Sequence, residues 1–190
     1  MSDKDLWLLF KQGDKQAFET IYDLYAKDLH KYGTRFDLDT ADVSDCLHDI
    51  FVEMWQRRSE LTTEINSIRF YLIISLRRRI LRVAHKRQKT TLIETFTDTG
   101  LDFELSQDTL ITENETTQER YALLNKALNQ LSPRQREALY LRFYQDLSYQ
   151  EIAQIMDLEQ QSAYNLIFRG IEALRKSLGA GWLIFFHSFL

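Results

Sequence analysis

The side chains best suited to reading another molecule stand at Gln161, Ser162, Asn165 and Arg169. They share one side of a segment whose other side, Ala163, Ile167, Ile171, Leu174 and Leu178, is apolar at helical spacing. An amide presents a donor and an acceptor together, so Gln or Asn can pair with an adenine edge through two bonds. Arg does the same for guanine or holds a phosphate, and a Ser hydroxyl serves either kind of edge. That is the chemistry of DNA recognition; the other reading of the pattern is a helical hairpin with an ordinary polar face.

A second set is cationic. Residues 57–89 hold ten basic and two acidic side chains, among them Arg69, Arg77, Arg78, Arg79, Arg82, Lys86 and Arg87 on one amphipathic stretch. This density exceeds what solubility asks and suits phosphate neutralisation. A third set is acidic. Asp45, His48, Asp49 and Glu53 can share a helix face, which would serve a helical metal-dependent enzyme; the simpler reading is a solvated face with His48 at its boundary. The sequence shows no Gly-rich phosphate loop, no Ser or Cys nucleophile with a placed base and no Cys pair with zinc spacing. Neither catalysis nor a cofactor, metal or small-molecule substrate is expected.

Helices must position these groups. One Pro and six Gly in 190 residues leave little turn chemistry for a many-stranded sheet, so an all-α fold is expected. The net charge of −4 conceals blocks: residues 1–56 carry six basic and twelve acidic side chains, and residues 90–119 carry eight acidic and no basic ones. Cys46, the single cysteine, can form no internal disulfide, and the N-terminal apolar patch is too short and acidic for a signal peptide. A reducing cytoplasm is the expected location.

Gly13 ends a first helix containing Leu6, Trp7, Leu8, Leu9 and Phe10, and Asp14 caps a second. On that second helix Phe18, Ile21, Tyr22, Tyr25, Leu29, Tyr32 and Phe36 form one buried stripe. A third buries Val43, Leu47, Ile50, Phe51, Met54 and Trp55. A fourth, from about Ser67 to Lys86, buries Ile68, Tyr71, Leu72, Ile74 or Ser75, and Val83. Periodicity then fades into an acidic linker. After a helix from about Arg120 to Leu131, Ser132, Pro133 and Gln135 form a helix start, and a second capping box follows at Ser148 and Glu151 with Leu147 and Ile152 set to staple across it. The helix this opens, Tyr149 to Met156, is two turns long, and Ala153 is small enough for a close crossing. Asp157 fits a turn needing positive φ, and Leu158 plugs the corner. Residues 147–176 thus read as a helix-turn-helix.

The segment LSPRQREALYLRFYQDLSYQEIAQIMDLEQQSAYNLIFRGIEALRKSL resembles region 4 of extracytoplasmic-function (ECF) sigma factors. GDKQAFETIYDLYAKDLHKYG, DVSDCLHDIFVEMWQRR and FYLIISLRRRILR resemble region 2 of the same group, in the same order. The resemblance implies two small all-α domains: a region 2-like four-helix domain over 1–89, an acidic linker over 90–118, a region 4-like helix-turn-helix domain over 119–178, and an apolar tail over 179–190. It implies a sigma factor that binds core RNA polymerase and directs promoter-specific initiation.

By the same resemblance the third helix docks on the polymerase through Asp45, His48, Asp49, Glu53 and Arg58, with Phe51 and Trp55 in the core. Asn66, Ser67, Phe70, Tyr71 and Ser75 face bases of the opened minus-10 element, and Arg69, Arg77, Arg78, Arg79 and Arg82 hold its phosphates. Gln161, Ser162, Tyr164, Asn165 and Arg169 meet the minus-35 element. An anti-sigma factor is a further implied partner, and any membrane association is indirect. A free-standing response-regulator activator shares the LSPRQRE start, but its receiver would alternate strands and helices, whereas the front half here shows only helical periodicity.

Family members often place Lys and Arg where this chain has Tyr164 and Leu166, so its own phosphate affinity is expected to be modest. The acidic linker can fold back on the basic helix by attraction or act as a flexible tether. The tail GAGWLIFFHSFL, 12 residues long, is too short to span a bilayer. It is expected to pack on the chain's own domains or on an anti-sigma factor, with membrane association the lesser alternative.

Overall fold

At the first two helix starts, orphan amides find side-chain acceptors. Ser2 and Asp5 form a reciprocal capping box at the head of α1 (Asp3–Lys11). Gly13 turns the chain at φ +90°, and Asp14 then accepts the amide of Ala17 at 3.0 Å to open α2 (Lys15–Gly33). α3 (Thr40–Gln56) and α4 (Ile68–Arg87) follow. The computed structural model describes residues 2–65, 67–87 and 123–179, in two units, Met1–Leu92 and Ile93–Leu190. The linker over 90–118, the tail beyond Gly179, Asn66 and the side chain of Arg87 lie outside the described residues.

In the first unit α2 packs on α1, α3 and α4, and α3 packs on α4. Trp7, Phe10, Ile21, Tyr32, Met54, Ile68, Leu72, Ile73, Leu76 and Ile80 are fully buried between them. An aromatic chain ties the layers: Trp7 to Phe10 at 5.1 Å between ring centroids, Phe10 to Phe18 at 6.1 Å, and Phe18 to Trp55 at 5.1 Å. Each fully buried large apolar side chain stabilises the fold by about 1.5–3 kcal/mol. A Cβ on Gly33 would stand 2.5 Å from Cγ1 of Val43, which shows how closely α2 approaches α3.

Two expectations about faces need correction. Tyr22 is 47% exposed, its ring only flanking Phe51, while Ala17, Ile21, Leu29 and Tyr32 carry the inward stripe of α2. On α4 the stripe is Ile68, Leu72, Ile73, Leu76, Ile80 and Ala84, with Ile74 and Val83 only half-buried. The run YLIISL is apolar enough to offer either phase. The arginine triplet after it takes the remaining faces, which leaves Leu76 and Ile80, four apart, to continue the ridge inward. Cys46, absent from the expected α3 stripe, is buried, and Trp55 is half-buried.

The second unit begins, among the described residues, with a helix over 123–129, α5. α6 (Pro133–Leu139) starts from a capping box of Ser132 and Gln135 with Pro133 at the first position, and it runs into one π-helical turn, Tyr140–Tyr144. α7 (Tyr149–Met156) and α8 (Gln160–Leu178) complete it. α8 lies across α6 and α7 over Leu139, Ile152, Met156, Ala163, Ile167 and Leu174. Gly170 is buried and Ile171 only half-buried, because a Cβ at 170 would already come within 3.1 Å of Leu139. No strand occurs among the described residues, and none of their helices is long and apolar enough to cross a membrane.

Candidate nucleic-acid interface

The corner that sets α8 is built locally. Ser148 accepts the amide of Glu151 at 3.2 Å, and Glu151 accepts the amide of Ser148 at 2.9 Å. Leu147 and Ile152 are buried beside this box, as a hydrophobic staple requires. α7 ends at Asp157 in the left-handed region, φ +54° and ψ +58°, and the amide of Leu158 closes the turn on the carbonyl of Ala153 at 2.8 Å. Ala153 and Ala163 are both buried where the two helices cross.

This crossing turns Gln161, Ser162, Tyr164, Asn165 and Arg169 to the exposed side of α8. The amide nitrogen of Gln161 donates to the Asn165 oxygen at 3.1 Å, so two candidate base-reading groups hold each other one turn apart. Tyr164 is 46% exposed, and its ring leans on Tyr149 at 5.4 Å and stacks near Phe168 at 6.3 Å. Phe168, 52% exposed beside Arg169, went unread in the sequence; its place outside the 163, 167, 170, 174 stripe was the available signal. Arg142 stacks over Tyr149 at 5.3 Å and donates to the carbonyl of Leu147 at 3.0 Å, bracing the entry to α7.

The cationic set of the first unit divides by surroundings. Arg78, Arg82 and Lys86 are exposed at four-residue steps along one line of α4. Arg69 sits 5.9 Å over the Tyr25 ring, and Arg77 is half-buried. Arg79 turns toward α3, donating to Asp49 at 2.5 Å and to Glu53 at 3.0 Å. Ser67 caps α4 by accepting the amide of Phe70 at 3.0 Å, and Ser75 donates to the carbonyl of Tyr71 at 2.7 Å. Phe70 is half-buried, and Tyr71 lies 5.3 Å from Trp7, with its phenol pushed up by burial and the nearby Glu53. Of the side chains expected at the minus-10 element, Tyr71 and Ser75 are thus built into the helix and its packing.

The acidic face of α3 exposes Asp45, His48, Asp49 and Glu53. Hydrogen bonds from Arg79 and then Arg57 hold the Glu53 carboxyl below the usual carboxylate range. Arg58 behaves differently: its guanidinium stacks 4.5 Å over Trp55, donates to the Trp55 carbonyl at 2.8 Å and rests against Gly13.

The family model described as Sigma-70 region 2 matches residues 21–90, and that described as Sigma-70, region 4 matches residues 121–174. The chain is 27% identical over 170 residues to the ECF RNA polymerase sigma factor SigX of Bacillus subtilis (strain 168), spanning 86% of this chain and 84% of that protein. It is 24% identical over 172 residues to the ECF RNA polymerase sigma factor SigK of Mycolicibacterium vanbaalenii, spanning 88% and 85%. Two solved structures share the fold. One is CnrH in complex with the cytosolic domain of CnrY, at TM-score 0.61 and 18% identity over 95% of this chain and 99% of that one. The other is RpoE in complex with the anti-sigma factor NepR from Bartonella quintana, at TM-score 0.60 and 19% identity over 86% and 97%.

Proposed function

The chain belongs to the sigma-70 family, in its extracytoplasmic-function group, and from that premise we propose how its surfaces divide the work of initiation. It is a sigma factor, a non-enzymatic initiation factor that binds core RNA polymerase and promoter DNA. The polymerase supplies the catalysis; sigma supplies promoter choice and holds the opened strand.

One observation carries the division: two separate units each present a DNA-compatible face, the Arg78, Arg82 and Lys86 line on α4 and the Gln161, Asn165 and Arg169 surface on α8. α8 enters the major groove of the minus-35 duplex, where amide and guanidinium groups read base edges. α4 and the loop before it hold the minus-10 strand once opened. Extruding a base costs a few kcal/mol of stacking and pairing, and phosphate neutralisation together with capture of the base offsets it. The exposed carboxylates of α3 dock on the polymerase, with Arg79 fixing the spacing of Asp49 and Glu53. Residues 1–89 and 119–178 are the working domains, joined by the acidic linker over 90–118. The protein acts in the cytoplasm, and an anti-sigma factor is a further partner, as one is for RpoE in its complex.

Run-off transcription on a linear template, with core polymerase and this protein, tests the reading. Transcripts that start only when the protein is present are expected. Duplex binding without initiation would instead favour a free-standing regulator.

A further inference from the structure

We propose that α1 is the positioning element for the loop that captures the minus-10 strand, acting through Asp3, Trp7 and Lys11. This rests on the reading of α4 and its preceding loop as the minus-10 face.

In the segment between α3 and α4, the described residues 57–65 bond among themselves mainly near the start: Glu60 and Leu61 close on the carbonyl of Arg57 at 2.9 and 3.2 Å, Arg57 pairs with Glu60 at 3.1 Å, and Thr62 and Glu64 bond each other through the Thr62 hydroxyl. The middle of the loop is held from α1. The indole N–H of Trp7 donates to the carbonyl of Thr62 at 3.0 Å. The Lys11 ammonium donates to the carbonyl of Leu61 at 2.5 Å and to Oγ1 of Thr63 at 3.0 Å. At the far end Asp3 accepts the amide of Ile68, the first residue of α4, at 3.0 Å, while its other oxygen accepts the Tyr25 hydroxyl at 3.1 Å.

Asp3, Trp7 and Lys11 stand at four-residue steps, so one edge of α1 makes the bonds to the loop and to the start of α4, with partners 50 to 65 positions away. Two features separate this from ordinary packing. Apolar anchoring would need only the buried Trp7 ring, yet a charged ammonium is spent on a loop carbonyl. The clasp also takes mostly backbone groups of the loop and leaves Thr62, Thr63 and Glu64 exposed. The path of the backbone is therefore set by α1, whatever side chains the loop presents to a base. A loop held in advance loses less freedom when it captures a base, so the contribution appears as discrimination between bases.

The test uses the full chain with core polymerase on templates varied one base at a time through the minus-10 element, with opening read by permanganate oxidation of unpaired thymines. Lys11→Met removes the bonds to Leu61 and Thr63 but keeps the aliphatic stem; Lys11→Arg keeps a donor. Trp7→Phe, which removes only the N–H, serves as a second variant if Lys11→Met does not fold. The ratio of opening between best and worst base should shrink about tenfold in Lys11→Met, the scale of one charged hydrogen bond, and recover in Lys11→Arg. Unchanged discrimination in folded Lys11→Met, or an equal loss at every base, would overturn the proposal. Arg78→Ala with Arg82→Ala separates the two levels. If that pair abolishes opening while Lys11→Met discriminates normally, only the role of α1 fails; if the pair opens promoters like the parent, the minus-10 reading fails with it.

Discussion

Arg79 on α4 donates to Glu53 on α3 at 3.0 Å, so the basic and acidic faces of the first unit meet at one guanidinium. The Glu53 side chain is 50% exposed, and solvent screening limits the pair to roughly 0.5–1 kcal/mol of coupling. A double-mutant cycle of Arg79→Ala and Glu53→Ala in urea unfolding should return that value at neutral pH. Because Glu53 titrates below the usual carboxylate range when folded, the coupling is present above that range and disappears as the pH falls through the depressed value. A coupling that survives full protonation of Glu53 would contradict the assignment.

Tyr25 gives a signal at the alkaline end. Burial first, then the neighbouring Asp3 carboxylate, push its phenol up from 10.0 to about 12. Its protonated form is favoured by folding, so this stabilisation is complete below pH 10 and is lost as the pH rises toward 12. Ultraviolet titration should show Tyr25 and Tyr71 ionising late, since both phenols are raised, and Asp3→Asn should bring Tyr25 earlier. Unmoved titration in that variant would remove Asp3 as a cause.

Gly33→Ala places a methyl 2.5 Å from Cγ1 of Val43 and 3.3 Å from Cδ1 of Ile80. Overpacking of this kind costs about 1–3 kcal/mol. Val43→Ala in the same chain should recover part of it. Thermal unfolding of the single and double variants gives the answer; an additive loss would mean that Val43 is not the obstacle.

Asp157 holds φ +54° without a glycine's freedom. Asp157→Gly should be neutral or stabilising by up to ~1 kcal/mol, and Asp157→Val destabilising by ~1–2 kcal/mol, since a β-branched residue strains most in this region. Calorimetry on both variants checks the order, and a Gly variant less stable than the Val variant would be inconsistent with the turn.

On α8, Asn165→Ala and Gln161→Ala should each change minus-35 preference by about 1–3 kcal/mol at one position, whereas Arg169→Ala tests whether its guanidinium reads a base or holds a phosphate. Salt-dependent binding of the polymerase complex to a minus-35 library separates them. A uniform loss with a shallower salt slope marks a phosphate contact, and a loss confined to one base position marks readout. Wild-type preference in both amide variants would exclude them as readers.

Features closed within a few residues were legible in the sequence. Asp14, Ser132 with Gln135, and Ser148 with Glu151 cap the helices expected of them, and Asp157 takes the left-handed turn, because each needs only a side chain and an amide about three positions on. The phase of α4 was not legible, since YLIISL offers two apolar faces and the choice depends on what α2 and α3 present. The charge of Arg58 and Arg79 was evident but not their partners, Trp55 and the α3 carboxylates, the latter brought close only by helix packing. The reach of α1 to the loop spans too many residues for any local pattern to reveal.

The π-helical turn at Tyr140–Tyr144 has a consequence for insertions and deletions. The amide of Gln145 reaches back five residues to the carbonyl of Tyr140 at 3.1 Å, and that of Leu147 reaches six, to Leu141, also at 3.1 Å. One residue more than an α-helical turn is thus accommodated between α6 and α7. Deleting a single residue there would be absorbed by a return to ordinary α-helical winding, leaving α7 and α8 in phase, whereas the same deletion within α8 itself would rotate the residues beyond it by about 100° about the helix axis. A one-residue loss is therefore better tolerated in this short turn than within α8, and a relative shortened by one residue here would keep the aim of its reading helix with no compensating insertion before Ser148.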